Sequence, residues 1–304
     1  MIKHLLIPLD GSLLAESVLP AAASLAKKIN TDVTLIHIIE KDAPQQVHGQ
    51  RHLTSPEQAK KYLDSISALD IFKGLSLSLH IHEESVSNIP LSIAQHSKEL
   101  NQDLIVMCTH GSSGLHGILF GSIAQQVIAL SKTPVLLINP SKEKLKQEYN
   151  FKKFLIPLDG NPDHEHALDF ASGLAKKCNA HIHLLVAIPH FGNLSGGFTQ
   201  TNRLLPGTTS KMMDMIVSDA EEYLEKLKTK LEKEEISVTV SASRNDAANA
   251  IIKTAKSMDA DLIILATHGT KGAEAFLEGS ITPKISKSSE IPLLLVPVYE
   301  LNSI

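Results

Sequence analysis

The chain contains two copies of one sequence unit, and this repeat constrains the fold more than any other feature. Residues 5–10 read LLIPLD and residues 154–159 read FLIPLD, so the second copy follows the first by 149 positions. The tripeptide THG occurs at 109–111 and again at 267–269. A repeat of this length is too long for a solenoid unit and has the size of a whole domain. It therefore indicates a duplicated domain.

The 304 residues divide on this basis into two domains joined by a short polar segment. We expect a first domain at 1–140, a linker at 141–150 and a second domain at 151–304. Each domain is long enough to bury a core of its own. The segment 190–210 is rich in Gly, Ser, Thr and Asn, and this composition predicts a mobile loop.

Each copy alternates short apolar runs with helical patterns. The first copy predicts strands at 2–9, 33–39, 75–82, 104–107 and 135–138, and helices at 12–28, 56–69, 90–100 and 121–130. The second copy predicts strands at 154–158, 181–187, 236–242, 262–265 and 293–297, with helices at 213–235 and 247–257. This order indicates the α/β class. We expect two tandem doubly wound, Rossmann-like domains, each with a five-stranded, mostly parallel sheet and helices on both faces.

Composition excludes several function classes. Hydrophobic residues make up 43% of the chain and charged residues 20%, as in ordinary globular proteins. The net charge of −4 gives no general attraction to nucleic acid or to an anionic membrane. The two cysteines form no disulfide framework, and no apolar run has the length of a signal peptide or a membrane span. We expect a cytoplasmic protein with neither membrane nor nucleic acid as partner.

The segment after the strand at 104–107 has the composition of an anion site. Residues 108–122 read CTHGSSGLHGILFGS, and Gly121 and Ser122 open a predicted helix. Glycines allow close backbone approach, and free N–H groups at a helix start suit an anion. Asp10 ends the first strand and can accept hydrogen bonds from a sugar hydroxyl or a base amine. This combination describes a nucleotide site.

A tight turn is the alternative explanation for these glycines. The second copy argues against it, because nine residues separate Gly269 from Gly279 just as nine separate Gly111 from Gly121. Turn geometry alone does not explain the same spacing in two diverged copies.

These motifs resemble the universal stress protein family in its tandem two-domain form. The resemblance rests on LLIPLDGS, DLIVMCTHGSSGLHGILFGS and SKTPVLLI, and on FLIPLDGN, DLIILATHGTKGAEAFLEGS and SSEIPLLLV in the second copy. It covers nearly the whole chain and implies the adenine nucleotide alpha hydrolase-like fold. Nucleotide-binding members carry a glycine, two residues, a glycine, nine residues, then Gly-Ser or Gly-Thr. Cys108 and Ala266 replace the first glycine here, and we expect weakened rather than abolished binding.

The resemblance implies one adenine-nucleotide site in each copy, with ATP, with or without Mg²⁺, as the ligand. In the first copy, Pro8 and Asp10 would face the base and ribose, the Ile38 backbone would read adenine, and Gly111, Gly121, Ser122 and Ile123 would hold phosphates. The matching residues of the second copy are Pro157, Asp159, Ala187, Gly269, Gly279, Ser280 and Ile281.

Four further residues of these loops bear on phosphate binding. His110 and His268 recur in both copies, and each either contacts a phosphate or caps the turn through the backbone. Lys271 can reach a phosphate as a point charge, whereas Glu278 beside Gly279 would repel one.

The remaining chemistry-bearing residues predict neither a metal site nor a catalytic site. Among fifteen histidines, the 80/82 and 181/183 pairs each share a strand face, but no Cys or carboxylate cluster completes them. We expect Cys108 to be a buried, inert thiol. The P-loop Gly-Lys-Ser is missing, so we expect at most slow ATP hydrolysis.

The function implied by the resemblance is a stress-response regulator or scaffold that binds ATP. Two alternatives remain: a fold that has lost nucleotide binding and serves as a structural or dimerisation module, and a slow ATP hydrolase. The last strands, 135–138 and 293–296, are short and apolar. In this family such edges pair, so we expect an intrachain pseudo-dimer of the two halves, which can further form a homodimer.

Overall fold

The computed structural model describes residues 2–42, 46–47, 50–51, 53–109, 122–139, 149–161, 165–188, 206–268 and 281–298. The strands are β1 (His4–Pro8), β2 (Asp32–Glu40), β3 (Gln46–Val47), β4 (Gln50–Arg51), β5 (Leu77–Val86), β6 (Leu104–Cys108), β7 (Val135–Ile138), β8 (Lys153–Leu158), β9 (His181–Ile188), β10 (Val238–Arg244), β11 (Leu262–His268) and β12 (Leu293–Val298). The helices are α1 (Leu13–Glu16), α2 (Leu19–Ile29), α3 (Pro56–Ser67), α4 (Ile89–Glu99), α5 (Ser122–Leu130), α6 (His166–Cys178), α7 (Pro206–Glu232), α8 (Ala247–Ser257) and α9 (Thr282–Ser288), with a 3-10 turn at Asp70–Phe72.

Ten strands form one continuous sheet in the order β10-β9-β8-β11-β12-β7-β6-β1-β2-β5, while β3 and β4 pair separately. Neighbours within each half are parallel. At the centre β7 and β12 run antiparallel, with Leu136 opposite Leu294. The α/β prediction and the five-stranded sheet of each half are confirmed. The expected pairing of the two last strands joins these sheets into one.

Helices cover both faces of the sheet. On one face α2, α3, α6 and α7 bury apolar residues, among them Leu25, Leu63, Leu174 and Leu224. On the other face α4, α5, α8 and α9 do the same with Ile93, Val127, Ile251 and Ile285. Along β1, Leu5 and Ile7 face the first core and Leu6 faces the second, because side chains alternate along a strand. The continuous apolar runs of the sequence follow from this burial on both faces.

Two equivalent aspartates, one in each half, stabilise the amino-terminal edge of the sheet. Asp103 accepts two consecutive backbone N–H groups at the start of β1, at 2.7 and 3.1 Å. Asp261 accepts the two equivalent groups at the start of β8, at 2.7 and 3.0 Å. Burial nevertheless raises the pKa of Asp261, and the backbone donors oppose that shift. These repeated aspartates are structural and lie at the edge opposite the strand ends discussed below.

The helix predicted at 12–28 is two helices in the structure. Ser12 is the N-cap of α1, and its Oγ accepts the Ala15 N–H at 3.1 Å. The first helix ends at Glu16, and α2 starts at Leu19 with Pro20 in its first turn. Proline has no N–H to donate to the preceding turn and fits the first turn of a new helix. The continuous helix was therefore a wrong prediction.

The second half differs in its longest helix. The predicted span 213–235 is α7 in the structure, which begins at Pro206 and ends at Glu232. Residues 206–210, predicted as loop, are thus helical, and the proline again stands at a helix start. The rest of the predicted 190–210 loop and most of the 141–150 linker lie outside the described residues. Among the helices that the structure does describe, none is both long and apolar enough to cross a membrane.

Candidate functional site

A crevice is expected where the chain leaves neighbouring strands for opposite faces of the sheet. β1 and β6 are adjacent, and the chain continues from β1 to α2 on one face and from β6 to α5 on the other. β8 and β11 repeat this arrangement with α6 and α9. Ligands of doubly wound sheets bind at such topological switch points, beyond the carboxyl ends of the strands. The two switch points are therefore the candidate sites.

An exposed aspartate turn stands at the end of β1. Asp10 accepts the Ser12 backbone N–H on Oδ1 at 2.8 Å. Gly11 between them has φ +88°, a conformation that a residue with a side chain adopts only with strain. An ionised carboxylate offers about four lone-pair sites, so Asp10 can accept further hydrogen bonds from a ligand.

The same turn stands at the end of β8. Asp159 Oδ1 accepts the Asn161 backbone N–H at 3.0 Å, and Gly160 has φ +80°. The structure thus places Asp10 and Asp159 at equivalent positions, both on the surface at a switch point. This duplicated turn is the best-defined feature of the candidate sites.

A tyrosine–glutamate pair flanks each turn and was missed by sequence reasoning. The Tyr62 hydroxyl donates to Glu16 Oε1 at 3.1 Å, and the Tyr223 hydroxyl donates to Glu165 Oε1 at 3.1 Å. Burial raises the pKa of Glu16, the Tyr62 hydrogen bond lowers it, and the Asp10 charge raises it. The signal was present in the sequence, because Glu16 and Glu165 are 149 positions apart, the offset of the two Asp residues.

The wall of the first site contains two further residues. His37, only 2% exposed, donates from Nδ1 to the Leu9 carbonyl at 2.7 Å, which ties β2 to the residue preceding Asp10. The Leu53 side chain lies against Gly11, at 3.0 Å from the position that a Cβ would take there. The second copy has Val186 in place of His37, so the two walls differ.

The residues assigned to the base lie on the neighbouring strands. Pro8 closes β1, Ile38 lies near the end of β2, and Ala187 lies near the end of β9. The pairing of β2 with β5 shifts register between Ile38 and Glu40. The ladder is therefore irregular at the residue whose backbone is predicted to read adenine. Pro157 occupies the position of Pro8 in β8.

The residues that replace the family's first glycine lie on β6 and β11. Cys108 ends β6 and is partly exposed, as is Ala266 in β11. The expectation of a buried thiol at Cys108 is wrong, because this residue lies at the open end of the strand. Cys178, in contrast, is buried, and burial raises its pKa to about 11. Neither cysteine forms a disulfide.

Of the residues predicted to hold phosphates, the structure describes only those at the helix starts. Ser122 is the exposed first residue of α5, and Ile123 follows it with 38% of its surface exposed. Ile281 precedes α9, whose first turn holds Pro283. The backbone of His268 forms the last residue of β11. The other predicted residues lie outside the described part of the chain: His110, Gly111, Gly121, Gly269, Lys271, Glu278, Gly279 and Ser280.

The two histidine pairs have different surroundings. His181 and His183 lie 2.8 Å from the hydroxyls of Ser237, which precedes β10, and of Thr239 and Ser241 in β10. Burial lowers the pKa of both.

The rings of His80 and His82 pack against His96 of α4, with centroids 4.9 and 4.8 Å apart. Across the residues that the structure describes, no group of three His, Cys, Asp or Glu side chains is arranged to hold a metal ion.

Comparison with known proteins gives one consistent result. The model of the universal stress protein family matches residues 1–139 and again residues 150–297. Universal stress protein Sll1654 of Synechocystis sp. is 31% identical over 138 residues, which cover 45% of this chain and 86% of that protein. A universal stress protein of Mycolicibacterium smegmatis is 22% identical over 311 residues, or 96% of each chain.

A solved structure extends the likeness over both halves. The crystal structure of a universal stress protein from Archaeoglobus fulgidus has a TM-score of 0.67 with 16% identity, and the match covers 98% of this chain and 97% of that one. At this identity the likeness shows the fold, and it includes the tandem arrangement of the two halves.

Proposed function

The chain belongs to the universal stress protein family, and from that premise we propose that each half binds an adenine nucleotide, ATP, at its switch point. The observation that carries the proposal is the duplicated aspartate turn. Asp10 and Asp159 each present a carboxylate at the carboxyl end of the first strand of their half. A carboxylate at this position accepts hydrogen bonds from ribose hydroxyls or from a base amine.

The start of α5 supplies a complementary end to the first pocket. The first N–H groups of a helix have no partner within that helix, and together with the positive end of the dipole they favour an anion there, with the Ser122 hydroxyl as a further donor. A carboxylate at one end and amide groups at the other suit a ligand with a sugar and a phosphate chain. Gly111, Gly121, Gly269 and Gly279 remain predictions for the phosphate contacts, together with Lys271 in the second site. Mg²⁺ would accompany ATP through its phosphates.

We assign the protein a regulatory or scaffolding role rather than a catalytic one. Neither aspartate turn contains a second carboxylate at general acid–base spacing, and the sequence lacks a P-loop lysine. The proposal includes a cytoplasmic location, domains at 1–140 and 151–304, and association of whole chains into a homodimer. The family matches at 1–139 and 150–297 support the domain limits.

Isothermal titration of nucleotide-free protein with ATP tests the proposal. We expect saturable heats for the wild type and none for the D10N/D159N double variant, because both carboxylates have become amides. D32N is the matched control, since Asp32 is an exposed carboxylate at the opposite edge of the sheet. Mass spectrometry of ligand released from freshly purified protein should identify an adenine nucleotide. Flat heats for the wild type would favour a structural module without nucleotide.

A further inference from the structure

The tyrosine–glutamate pair is a polar contact beside the aspartate turn that recurs in both halves. Tyr62 lies on α3 and reaches Glu16 at the end of α1. Tyr223 lies on α7 and reaches Glu165 just before α6. In both halves a helix that follows the second strand is thereby linked to the segment that follows the first strand. The oxygen-to-oxygen distance is 3.1 Å in each case.

Each tyrosine is also close to the turn itself. The pKa of Tyr62 is raised by burial and by the charges of Glu16 and Asp10, and the backbone of Gly11, the middle residue of the first turn, opposes this rise. The charge of Asp10 acts on both Tyr62 and Glu16. In the second half the charge of Asp159 raises the pKa of Tyr223 in the same way. In each half the hydrogen-bonded tyrosine therefore lies within electrostatic range of the aspartate of its turn.

We propose that Tyr62 and Tyr223 are positioning residues, each of which holds the aspartate turn of its own half in the geometry that receives the ligand. The inference rests on the proposed function for the identity of the ligand. The ordering of the turn does not depend on that function and can be measured without nucleotide.

Packing alone does not account for these hydroxyls. Leu63 and Leu224, the next residues along the two helices, have no exposed surface and anchor the helices to the core. A phenylalanine at position 62 or 223 would pack as well as the tyrosine. A half-buried hydroxyl contributes to stability only when it makes a hydrogen bond. The pair recurs although the other wall residues differ, since Val186 replaces His37.

Hydrogen exchange of the protein without nucleotide is the first test. In Y62F we expect the amides of residues 9–16 to exchange about fivefold faster, the factor that corresponds to one lost hydrogen bond. Residues 158–165 should exchange as in the wild type, and Y223F should give the reverse pattern. Y149F is the control, because Tyr149 is also half-buried but stacks on Phe151 away from both turns.

Titration with ATP is the second test. We expect Y62F to weaken binding at the first site about five- to tenfold and Y223F to weaken the second, each without effect on the other. E16Q and Y62F should be non-additive when combined, because both act through one contact. The pH profile of binding should also move to higher pH in Y62F, because the tyrosine hydrogen bond lowers the Glu16 pKa. Asp10 and Tyr62 are the groups that act on Glu16.

The outcomes separate the two proposals. If the wild type does not bind ATP but Y62F loosens residues 9–16, the proposed function fails and the positioning of the turn stands. If the wild type binds ATP while Y62F behaves like Y149F in both measurements, the positioning role is overturned. When the wild type binds ATP, the positioning role is also overturned if Y62F changes only one of the two measurements.

Discussion

Lys28 and Lys177, equivalent residues of the repeat, reach across the contact between the two halves in opposite directions. Lys177 Nζ donates to the carbonyls of Ile2 and Ile29 at 3.0 and 3.2 Å. Lys28 Nζ donates to the carbonyl of Asn150, in the segment that precedes the second copy. Because each of these equivalent lysines donates to the other half, the two contacts are related by an approximate twofold axis. It adds charge-assisted hydrogen bonds to the contact that β7 and β12 form.

Removal of the Lys177 ammonium should destabilise the whole chain. Ile29 is the last residue of α2, so Lys177 satisfies a carbonyl at that helix end and meets the negative end of its dipole. We expect K177M, which keeps most of the stem, to lower the free energy of unfolding by about 1–2 kcal/mol in urea denaturation. K176M should cost about 0–1 kcal/mol, because Lys176 pairs with Glu234 on the surface. Equal losses of stability in K177M and K176M would show that the Lys177 contacts contribute no more than a surface ion pair.

Truncation at the central pairing should be costly. Leu294 is 1% exposed and lies opposite Leu136 in the antiparallel contact. We expect L294A to lower the free energy of unfolding by about 2–5 kcal/mol, the range for buried Leu to Ala. L130A, at a leucine with 47% of its surface exposed, should change it by less than about 1 kcal/mol. A small loss in L294A would contradict the central role of this contact.

The two turn glycines should differ in tolerance. G160A introduces a side chain at φ +80° in a place where no atom of the described residues lies within 4 Å, so we expect a cost of about 1–2 kcal/mol. G11A adds a contact at 3.0 Å with Leu53 to the same backbone strain, and its cost should be larger. Thermal unfolding of the two variants side by side measures the difference. A G11A variant as stable as G160A would mean that Leu53 moves away freely.

Glu16 should make stability fall as pH rises. Its pKa is raised in the folded chain, so the native state holds the proton at pH values where the unfolded state has released it. Stability of the wild type should therefore decline from about pH 4.5 up to the folded pKa, and E16Q should lack this decline. Urea denaturation at several pH values measures the slope.

Glu57 is a control for which stability should change with pH in the opposite direction. Its pKa is lowered by a hydrogen bond to its own backbone N–H and by one to Ser55. The wild type should therefore gain stability as pH rises through the range below the ordinary glutamate pKa, and E57Q should lack this gain. A similar pH slope for E16Q and E57Q would show that burial of Glu16 has no effect.

Much of the fold could be predicted from the sequence because the signals are local. The buried parallel strands are continuous apolar runs, and β7 was located at its observed bounds. Helix α8 was likewise predicted at its observed residues, 247–257. The errors occurred at prolines, where one residue decides between a continued helix and a new one. Pro20 and Pro206 both lie in the first turn of helices that the periodicity alone placed differently.

The candidate site was predictable only where it repeats in sequence. Asp10 and Asp159 were found because the PLD motif occurs twice. Tyr62 and Tyr223 were missed because they lie on helices after the second strand, where the alignment of the copies needs insertions. Their contact with Glu16 and Glu165 depends on how two helices pack, which no local pattern encodes.

The antiparallel pairing of β7 with β12 has a consequence for how the two halves behave when the protein is diluted. Two separate subunits would dissociate as they become scarce, but halves joined on one polypeptide stay together at any dilution. Every molecule therefore carries both switch points in a fixed one-to-one ratio. A substitution at either switch point is present in every molecule and cannot be compensated by exchange with an unaltered subunit.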